Sequence, residues 1–495
     1  MIMFGKQNNR LTMKKLLLIL LCLPVIGFGQ NVNIPDANFK AYLVGNSLIN
    51  TNGDTEIQVS EANSFSGTIN YTGNNLNNYT GIEEFTNLDS LVFDNNQIFH
   101  LNLSQNTALR YLSVSGNYLF TCNISQNIAL RFFSCSYSQL TTLDVSQCPN
   151  LEHLNCDNTQ LTSLDVSQNP LLDFLSCNNN QLTSLDVSQN PLLYLLSCNN
   201  NQLTSLDVSQ NIILSILSCD NNQITNLDMS NNNSIVRLYC NNNQLSNLDI
   251  SYTIILGLEC DNNQLTSLNL TTVNLEELSC FNNYLTNIDL SSTPRLKELD
   301  CRSNQLINLD VSQNTDLIKL DCRNNQLTSL DLSQNTFLEE LNCSNNQLTS
   351  LDLSQNTSLS ILKCMNNLLV CLDISSNLYL EELQCTDNVL EILNTKNGNW
   401  TNMNVEANLN SLNCVEVDNV LYATSNWAFD SSTTISTNCN YTSSCNTTSS
   451  IEEQITNKNL LKTINILGVE TKGSKNQPLL YIYDDGTVEK RITID

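Results

Sequence analysis

Three sets of residues in this chain have types and spacings that could do chemistry. The 20 cysteines could form disulfides, hold a soft metal or act as thiolates. The two histidines, His100 and His153, could move protons. The stretch Asn50-Thr51-Asn52-Gly53-Asp54-Thr55-Glu56-Ile57-Gln58-Val59-Ser60-Glu61 carries hard oxygen donors at alternating places. What each set does is decided by its spacing.

Thirteen of the cysteines form one series: Cys135, Cys156, Cys177, Cys198, Cys219, Cys240, Cys260, Cys280, Cys301, Cys322, Cys343, Cys364 and Cys385. Phe93 and Val114 hold the same place before them, and the interval is 21 residues, twice shortened to 20. A period in this range marks a stacked solenoid, in which a turn buries its apolar residues only against its neighbours. Stacked parallel strands lie about 4.8 Å apart. A disulfide needs Cβ atoms about 3.8 Å apart with a twisted dihedral, which an in-register ladder does not offer. Cysteine also packs as a small hydrophobe. The ladder therefore reads as core, with cross-linking and metal binding as lesser readings.

The twelve-residue stretch has the donor pattern of a calcium loop. Asn50, Asn52 and Asp54 stand at places 1, 3 and 5, and Glu56 would offer its carbonyl at place 7. Ile57 is the apolar residue at place 8, and Glu61 is the carboxylate at place 12. Thr55 replaces the usual turn glycine and Asn50 removes one charge, so the other reading is a polar turn that seals the first repeat. Ca2+ is the one cofactor expected, and no organic cofactor is.

Catalysis finds no such support. The histidines fall in separate repeats, and no Ser/His/Asp or Cys/His grouping is visible, so the chain does not read as an enzyme. A net charge of −27 offers no basic surface for nucleic acid.

The elements that position these residues come from the repeat. Its unit, seen in Leu172-Asp173-Phe174-Leu175-Ser176-Cys177-Asn178-Asn179-Asn180-Gln181-Leu182, has an LxxLxCxxNxL core. This pattern resembles the leucine-rich repeats of bacteria over residues 69–393. The resemblance implies a mostly β repeat solenoid, a right-handed coil with a parallel sheet on one face, and binding through that face. Asn180 and its equivalents are expected to point inward and satisfy backbone groups where the chain leaves the strand. Asp165, Asp186, Asp207 and the aspartates that follow them form a column on the opposite side. They read as Asx turns, with loosely held cations as the functional alternative.

On the sheet face the outward positions differ between repeats. The residues before the second leucine run Tyr111, Phe132, His153, Phe174, Leu195, Ile216. This is a mostly apolar stripe, roughly 25 Å long at the strand spacing. Beside it runs a small column: Ser113, Ser134, Asn155, Ser176, Ser197, Ser218. An exposed stripe of this kind marks a binding surface unless it is neutral drift on a solvated sheet. Further on, Glu277, Glu298, Asp300, Arg302, Lys319, Asp321, Arg323 and Glu340 form a charged lattice.

The ends complete the organisation. Lys14-Lys15 and the apolar run Leu16 to Phe28 read as an export signal over 1–29, too short to span a bilayer, which leaves the mature chain without a transmembrane segment. Residues 30–68 form an N-terminal cap with a helix near Pro35, Phe39 and Leu43, and contain the EF-hand-like loop. Residues 394–439 form a C-terminal cap rich in aromatics (Tyr422, Trp427, Phe429), with a Cys414–Cys439 or a Cys439–Cys445 bridge expected of an exported protein. A Ser/Thr/Asn-rich linker follows over 440–458.

Residues 459–495 carry Ile466-Leu467-Gly468, then Pro478-Leu479-Leu480-Tyr481-Ile482-Tyr483 and a hairpin about Asp485-Gly486. This small β module is similar to the sorting domain of type IX secretion, which implies passage through that machinery. The expected function is a secreted or outer-membrane cell-surface protein that adheres to an extracellular protein or polysaccharide. The alternative is a structural solenoid adsorbing to a repetitive solid (ice, mineral or crystalline polysaccharide) through columns such as Thr183/Ser184, Thr204/Ser205 and Thr328/Ser329.

Overall fold

The computed structural model describes residues 29–251, 253–270, 274–441 and 445, with the backbone of 460–465, 478–483 and 488–492. In the turn that begins at Leu172, the side chains of Leu172, Leu175, Cys177, Leu182, Leu185 and Val187 are all buried. Each contributes on the order of 2 kcal/mol when removed from water, but only if a neighbouring turn lies above and below it. The strand Phe174–Ser176 pairs in parallel with His153–Asn155 on one side and Leu195–Ser197 on the other, with Leu154, Leu175 and Leu196 in register. Repeating this pairing builds a 17-stranded parallel sheet from Thr68–Asn70 to Asn404–Glu406.

The strands are three residues long because the chain is turned away at a fixed place. Asn179 has φ 55°, a left-handed conformation that asparagine tolerates better than most residues. The same position is left-handed in turn after turn, at Asn158, Asn200, Asn221, Asn242 and onward, with Gly116 filling it once.

The Asn-Asn-Asn run thus divides three tasks. Asn178 faces outward and accepts from Ser197 Oγ (2.9 Å) and Asn199 N (2.7 Å) of the next turn. Asn179 makes the bend. Asn180 turns inward, where its Nδ2 donates to the carbonyls of Cys156 (3.0 Å) and Cys177 (3.1 Å) and its Oδ1 accepts from Leu161 N (2.9 Å). The inward amide ladder expected from the repeat is therefore present.

A second amide column was not foreseen. Asn190 and its equivalents are fully buried where the chain turns back toward the sheet. Asn190 Nδ2 donates to the carbonyls of Val166 and Asn169, each at 2.9 Å. Three turns place Cys148, Thr253 or Thr293 here: Cys148 Sγ donates to Ile124 O of the preceding turn, while Thr253 and Thr293 donate within their own turn, to Ile250 O and Leu290 O.

All thirteen ladder cysteines are buried and free. Burial pushes thiols such as Cys177 and Cys198 well above their usual pKa, so they are held as neutral packing groups. On the opposite side Asp186 Oδ1 accepts from Ser188 N at 2.9 Å, and the same bond recurs at Asp165, Asp207 and Asp228. These are Asx turns. Among the described residues, regular strands form on that side only near the ends. His100–Asn102 pairs with Thr121–Asn123, and Cys371–Asp373, Ile392–Asn394, Cys414–Glu416 and Thr434–Ser436 form a four-stranded sheet.

Helix α1 (Ala37–Val44) is capped by Asp36 Oδ1, which accepts from Asn38 N and Phe39 N. It lays Phe39 against Tyr71 and Phe93, with ring centroids 5.3 and 5.7 Å apart, and so covers the first core layer. Helix α2 (Val59–Ser64) follows the cap loop. At the other end α3 (Val420–Asn426) leads to Trp427, whose Nε1 donates to Met403 O at 2.9 Å.

Cys439 bonds Cys414, one of the two expected pairings. Cys445 bonds Cys371 and not Cys439. The reason is the path of the tail, which runs back across the rear strands. Tyr441 Oη donates to the carbonyls of Cys414 (2.8 Å) and Leu393 (3.1 Å), which brings Cys445 to Cys371 two turns earlier.

Strands Leu460–Asn465, Pro478–Tyr483 and Val488–Ile492 form a separate antiparallel sheet. All but Gly29 of the expected export signal over 1–29, most of the linker, and the Ile466–Gly468 and Asp485-Gly486 motifs lie outside the described residues.

Candidate functional site

The in-register sheet carries Tyr111, Phe132, His153, Phe174, Leu195 and Ile216 at the first position of six successive strands, so they form one line. The first four are stacked rings. Successive centroids are 4.2, 4.3 and 3.9 Å apart, with planes within 12° of parallel. Phe132 and His153 have both faces against neighbouring rings, which leaves their edges toward solvent. Burial between the two phenyl groups lowers the His153 pKa, against a weaker upward pull from Asp173, so its imidazole is neutral at pH 7.

The stripe is wider than its sequence column. Tyr194, Leu171, Leu192 and Ile213 are all exposed where the chain enters the same strands, so the apolar surface wraps over the sheet edge at the Phe174, Leu195 and Ile216 turns. The signal was present in Pro170-Leu171-Leu172 and Pro191-Leu192-Leu193, where the repeat buries only the second leucine.

Beyond Ile216 the face changes character at Gly257. A Cβ there would lie 2.9 Å from Arg237 Nη1, which reaches across the glycine to Glu277 at 2.9 Å. The result is a depression of about 350 Å³ bordered by Arg237, Tyr239, Glu259, Glu277, Glu298 and Asp300. The charged lattice follows as spaced ion pairs. Lys319 stands 3.9 Å from Glu298 and 3.7 Å from Glu340, and Arg302 lies between Asp300 and Asp321. Exposed pairs of this kind add little stability, about 0–1 kcal/mol each. Their effect is to set the charge pattern of the surface.

In the cap loop the side chains at the expected calcium places are hydrogen-bonded, for the most part within the loop. Asn50 Oδ1 accepts from Gly53 N, and its Nδ2 donates to Val44 O and Asp54 O. Asn52 Oδ1 accepts from Asp54 N, and Asp54 Oδ1 from Glu56 N. The Glu56 side chain pairs with Lys40 at 2.7 Å. Glu61 Oε1 accepts from Thr51 N, Thr51 Oγ1 and Asn52 N, while its Oε2 accepts from Gln58 N and caps α2. Among the described residues no three His, Cys, Asp or Glu side chains stand together as a metal would need. As arranged, these hydrogen bonds hold the loop as a turn. The other histidine, His100, is exposed and bonds Thr121 Oγ1 through Nδ1, far along the sequence from His153.

A parallel β-solenoid, locked by buried amides and open on one flat face, defines the class. No family model matches the chain, and no curated protein matches its sequence. Solved structures do. The functional domain of InlJ from Listeria monocytogenes, described as including a cysteine ladder, is 31% identical with a TM-score of 0.63, covering 77% of this chain and 82% of that one. The chain belongs to the leucine-rich-repeat family. A leucine-rich-repeat protein of Leptospira interrogans (24% identity, TM-score 0.57, 72% of this chain and 92% of the other) shares the fold. So does YopM from Yersinia enterocolitica (22%, 0.59, 83% and 93%). Among the described residues no helix is long and apolar enough to cross a membrane.

One carboxylate at the edge of the depression gives a measurable pH signature. Asp261 is buried in the place that Asn178, Asn199 and Asn241 hold in other turns, and it accepts from Ser279 Oγ (2.7 Å) and Phe281 N (2.9 Å). Burial, joined by the nearby Asp300 and Glu259 carboxylates, pushes its pKa up to about 7 against the pull of those two hydrogen bonds. A raised pKa means that the folded state holds the proton more tightly than the unfolded state. The associated stability is fully present below the unfolded value near 3.8 and is lost as pH rises through about 7. Asp261→Asn keeps the acceptor and removes the charge. It is expected to be more stable than wild type by on the order of 2 kcal/mol at pH 8, with the difference nearly gone at pH 4, as read by urea denaturation.

Proposed function

We propose that this leucine-rich-repeat protein works outside the cell, secreted or held at the outer-membrane surface, and binds an extracellular protein through its sheet face. The observation that carries the reading is the ring stack from Tyr111 to Phe174 with its aliphatic continuation. It is partly exposed, held ring against ring and flanked by small side chains, the properties of a binding anchor. The stack also favours protein over glycan here. A sugar packs its C–H face on the face of a ring, and the faces of Phe132 and His153 are already used. Ring edges and the flank of Tyr194, Leu192 and Ile213 suit apolar side chains of a polypeptide. Export by type IX secretion is part of the proposal and rests on the resemblance of residues 459–495.

The second reading, adsorption to a repetitive solid, is supported by the exposed Thr183/Ser184, Thr204/Ser205 and Thr328/Ser329 rows on another side of the coil. A Phe132→Ser/Phe174→Ser/Ile216→Ser variant separates the two. Capture of one specific partner from a surface-protein extract is expected to fall more than tenfold, with the melting temperature little changed. Unchanged capture removes the stripe from the account, and adsorption to a solid that ignores the variant favours the second reading.

Calcium at the cap loop is proposed on the spacing of Asn50, Asn52, Asp54, Glu56 and Glu61 alone. A bound ion would have to displace the hydrogen bonds that now hold Glu61. Melting curves in EDTA and in millimolar calcium test it. A calcium-dependent rise that Glu61→Gln abolishes supports the site, and superimposable curves overturn it.

A further inference from the structure

A second aromatic cluster lies away from the sheet face, where most other turns place a hydrophilic residue and a few place an apolar one, such as Tyr284 or Ile307. Phe99 and Phe120 occupy the position of Thr183, and Tyr118 that of Gln181. Phe99, Tyr118 and Phe120 are 47%, 46% and 47% exposed, so nearly half of each residue faces water. The Phe99 and Tyr118 centroids are 5.5 Å apart with planes 21° from parallel, and Phe99 and Phe120 are 6.3 Å apart at 15°. These separations exceed the 3.9–4.3 Å of the sheet stack. The rings are therefore offset and leave parts of their faces uncovered. They form a tiled platform, whereas the sheet-face rings form a closed stack.

The platform is firmly held. Phe120 N donates to Phe99 O (2.8 Å) just ahead of the parallel pair His100–Asn102 and Thr121–Asn123, and the free edge is closed by Tyr79, whose hydroxyl accepts from Asn102 N (3.0 Å) and donates to His100 O (2.9 Å). Its electrostatics are the decisive feature. In a chain of net charge −27, residues 95–109 and 111–130 contain no Asp, Glu, Lys or Arg. The two platform turns also depart from the aspartate column. Asn102 and Asn123 stand where Asp144, Asp165 and Asp186 stand later, yet each keeps the turn by accepting from Ser104 N or Ser125 N at 3.2 Å. The fold keeps its hydrogen bond here and loses its charge. A charged partner gains nothing from such a surface, while a neutral polyhydroxylated one meets no desolvation of ionised groups.

We propose that Phe99, Tyr118 and Phe120, with His100, Asn102 and Asn123 at the rim, form a binding platform for a neutral polysaccharide. The uncovered ring faces pack against sugar C–H faces. The amide, imidazole and hydroxyl groups of the rim exchange hydrogen bonds with sugar hydroxyls. This site is separate from the sheet face and does not rest on the protein-binding reading.

Affinity electrophoresis of the whole chain in native gels containing laminarin, xylan or hydroxyethylcellulose tests it. Retardation is expected in at least one gel, persisting in high salt because no ion pairs are involved. Phe99→Ala/Phe120→Ala should weaken it about tenfold or more. Asn102→Asp/Asn123→Asp, which restores the repeat's own residue, should weaken it severalfold with no loss of melting temperature. Phe132→Ser/Phe174→Ser on the sheet face should bind these polysaccharides as wild type does. Free migration in all three gels overturns the proposal. So does retardation that survives Phe99→Ala/Phe120→Ala, or a concentration-dependent dimer that this variant abolishes, which would make the platform a self-association surface.

Discussion

The structure depends on one constraint: each turn of the coil must satisfy, inside an apolar core, the backbone groups that its own bends leave unpaired. Buried asparagine meets it. Asn180 ties Cys156 O, Cys177 O and Leu161 N together across neighbouring turns, and Asn190 does the same for Val166 O and Asn169 O on the far side. An unpaired backbone group in that setting would cost about 1–3 kcal/mol, and the penalty would recur at every repeat. With both columns in place, the core can be filled by leucine, valine and cysteine in register, and the interval can vary only slightly. The coil is held rigid by these amide donors, although the Oδ1 atoms of Asn190 and its equivalents are themselves buried without a hydrogen-bond partner.

That rigidity frees the outside. Apart from outward groups that bond the next turn, such as Asn178, positions facing away from the core need not hold the turns together, so one scaffold can display a closed ring stack, an ion-pair lattice and a tiled aromatic platform at different places. Whether aromatic rings in equivalent positions close face to face or slide apart depends on where they stand. On the main sheet the strands align the side chains directly above one another and Phe132 closes on His153. On the two-strand strip under Phe99 and Phe120 the rings slide past each other. The same residue types then offer different surfaces to a ligand.

Much of this was legible in the sequence, because a strict period converts spacing into position. The thiol ladder, the inward Asn180 column, the Asx turns at Asp186 and the line from Tyr111 to Ile216 all follow from counting. What could not be read has a physical reason in each case. In Asn178-Asn179-Asn180 the letters are identical, and although the period places Asn180 inward, only backbone conformation tells that Asn179 makes the bend. Gly257 opens a depression only because Arg237 folds over it. Cys445 finds Cys371 because the tail doubles back, a contact 74 residues long in sequence.

The central claim is that the cysteines line up inside one continuous coil, as packing groups. Alkylation with iodoacetamide at pH 8 under non-reducing conditions, read by peptide mass spectrometry, tests it most directly. The account predicts that the series from Cys135 to Cys385 stays unmodified in the folded protein and is modified in full once the chain is unfolded. Rapid labelling of several of these thiols in the native state would contradict it.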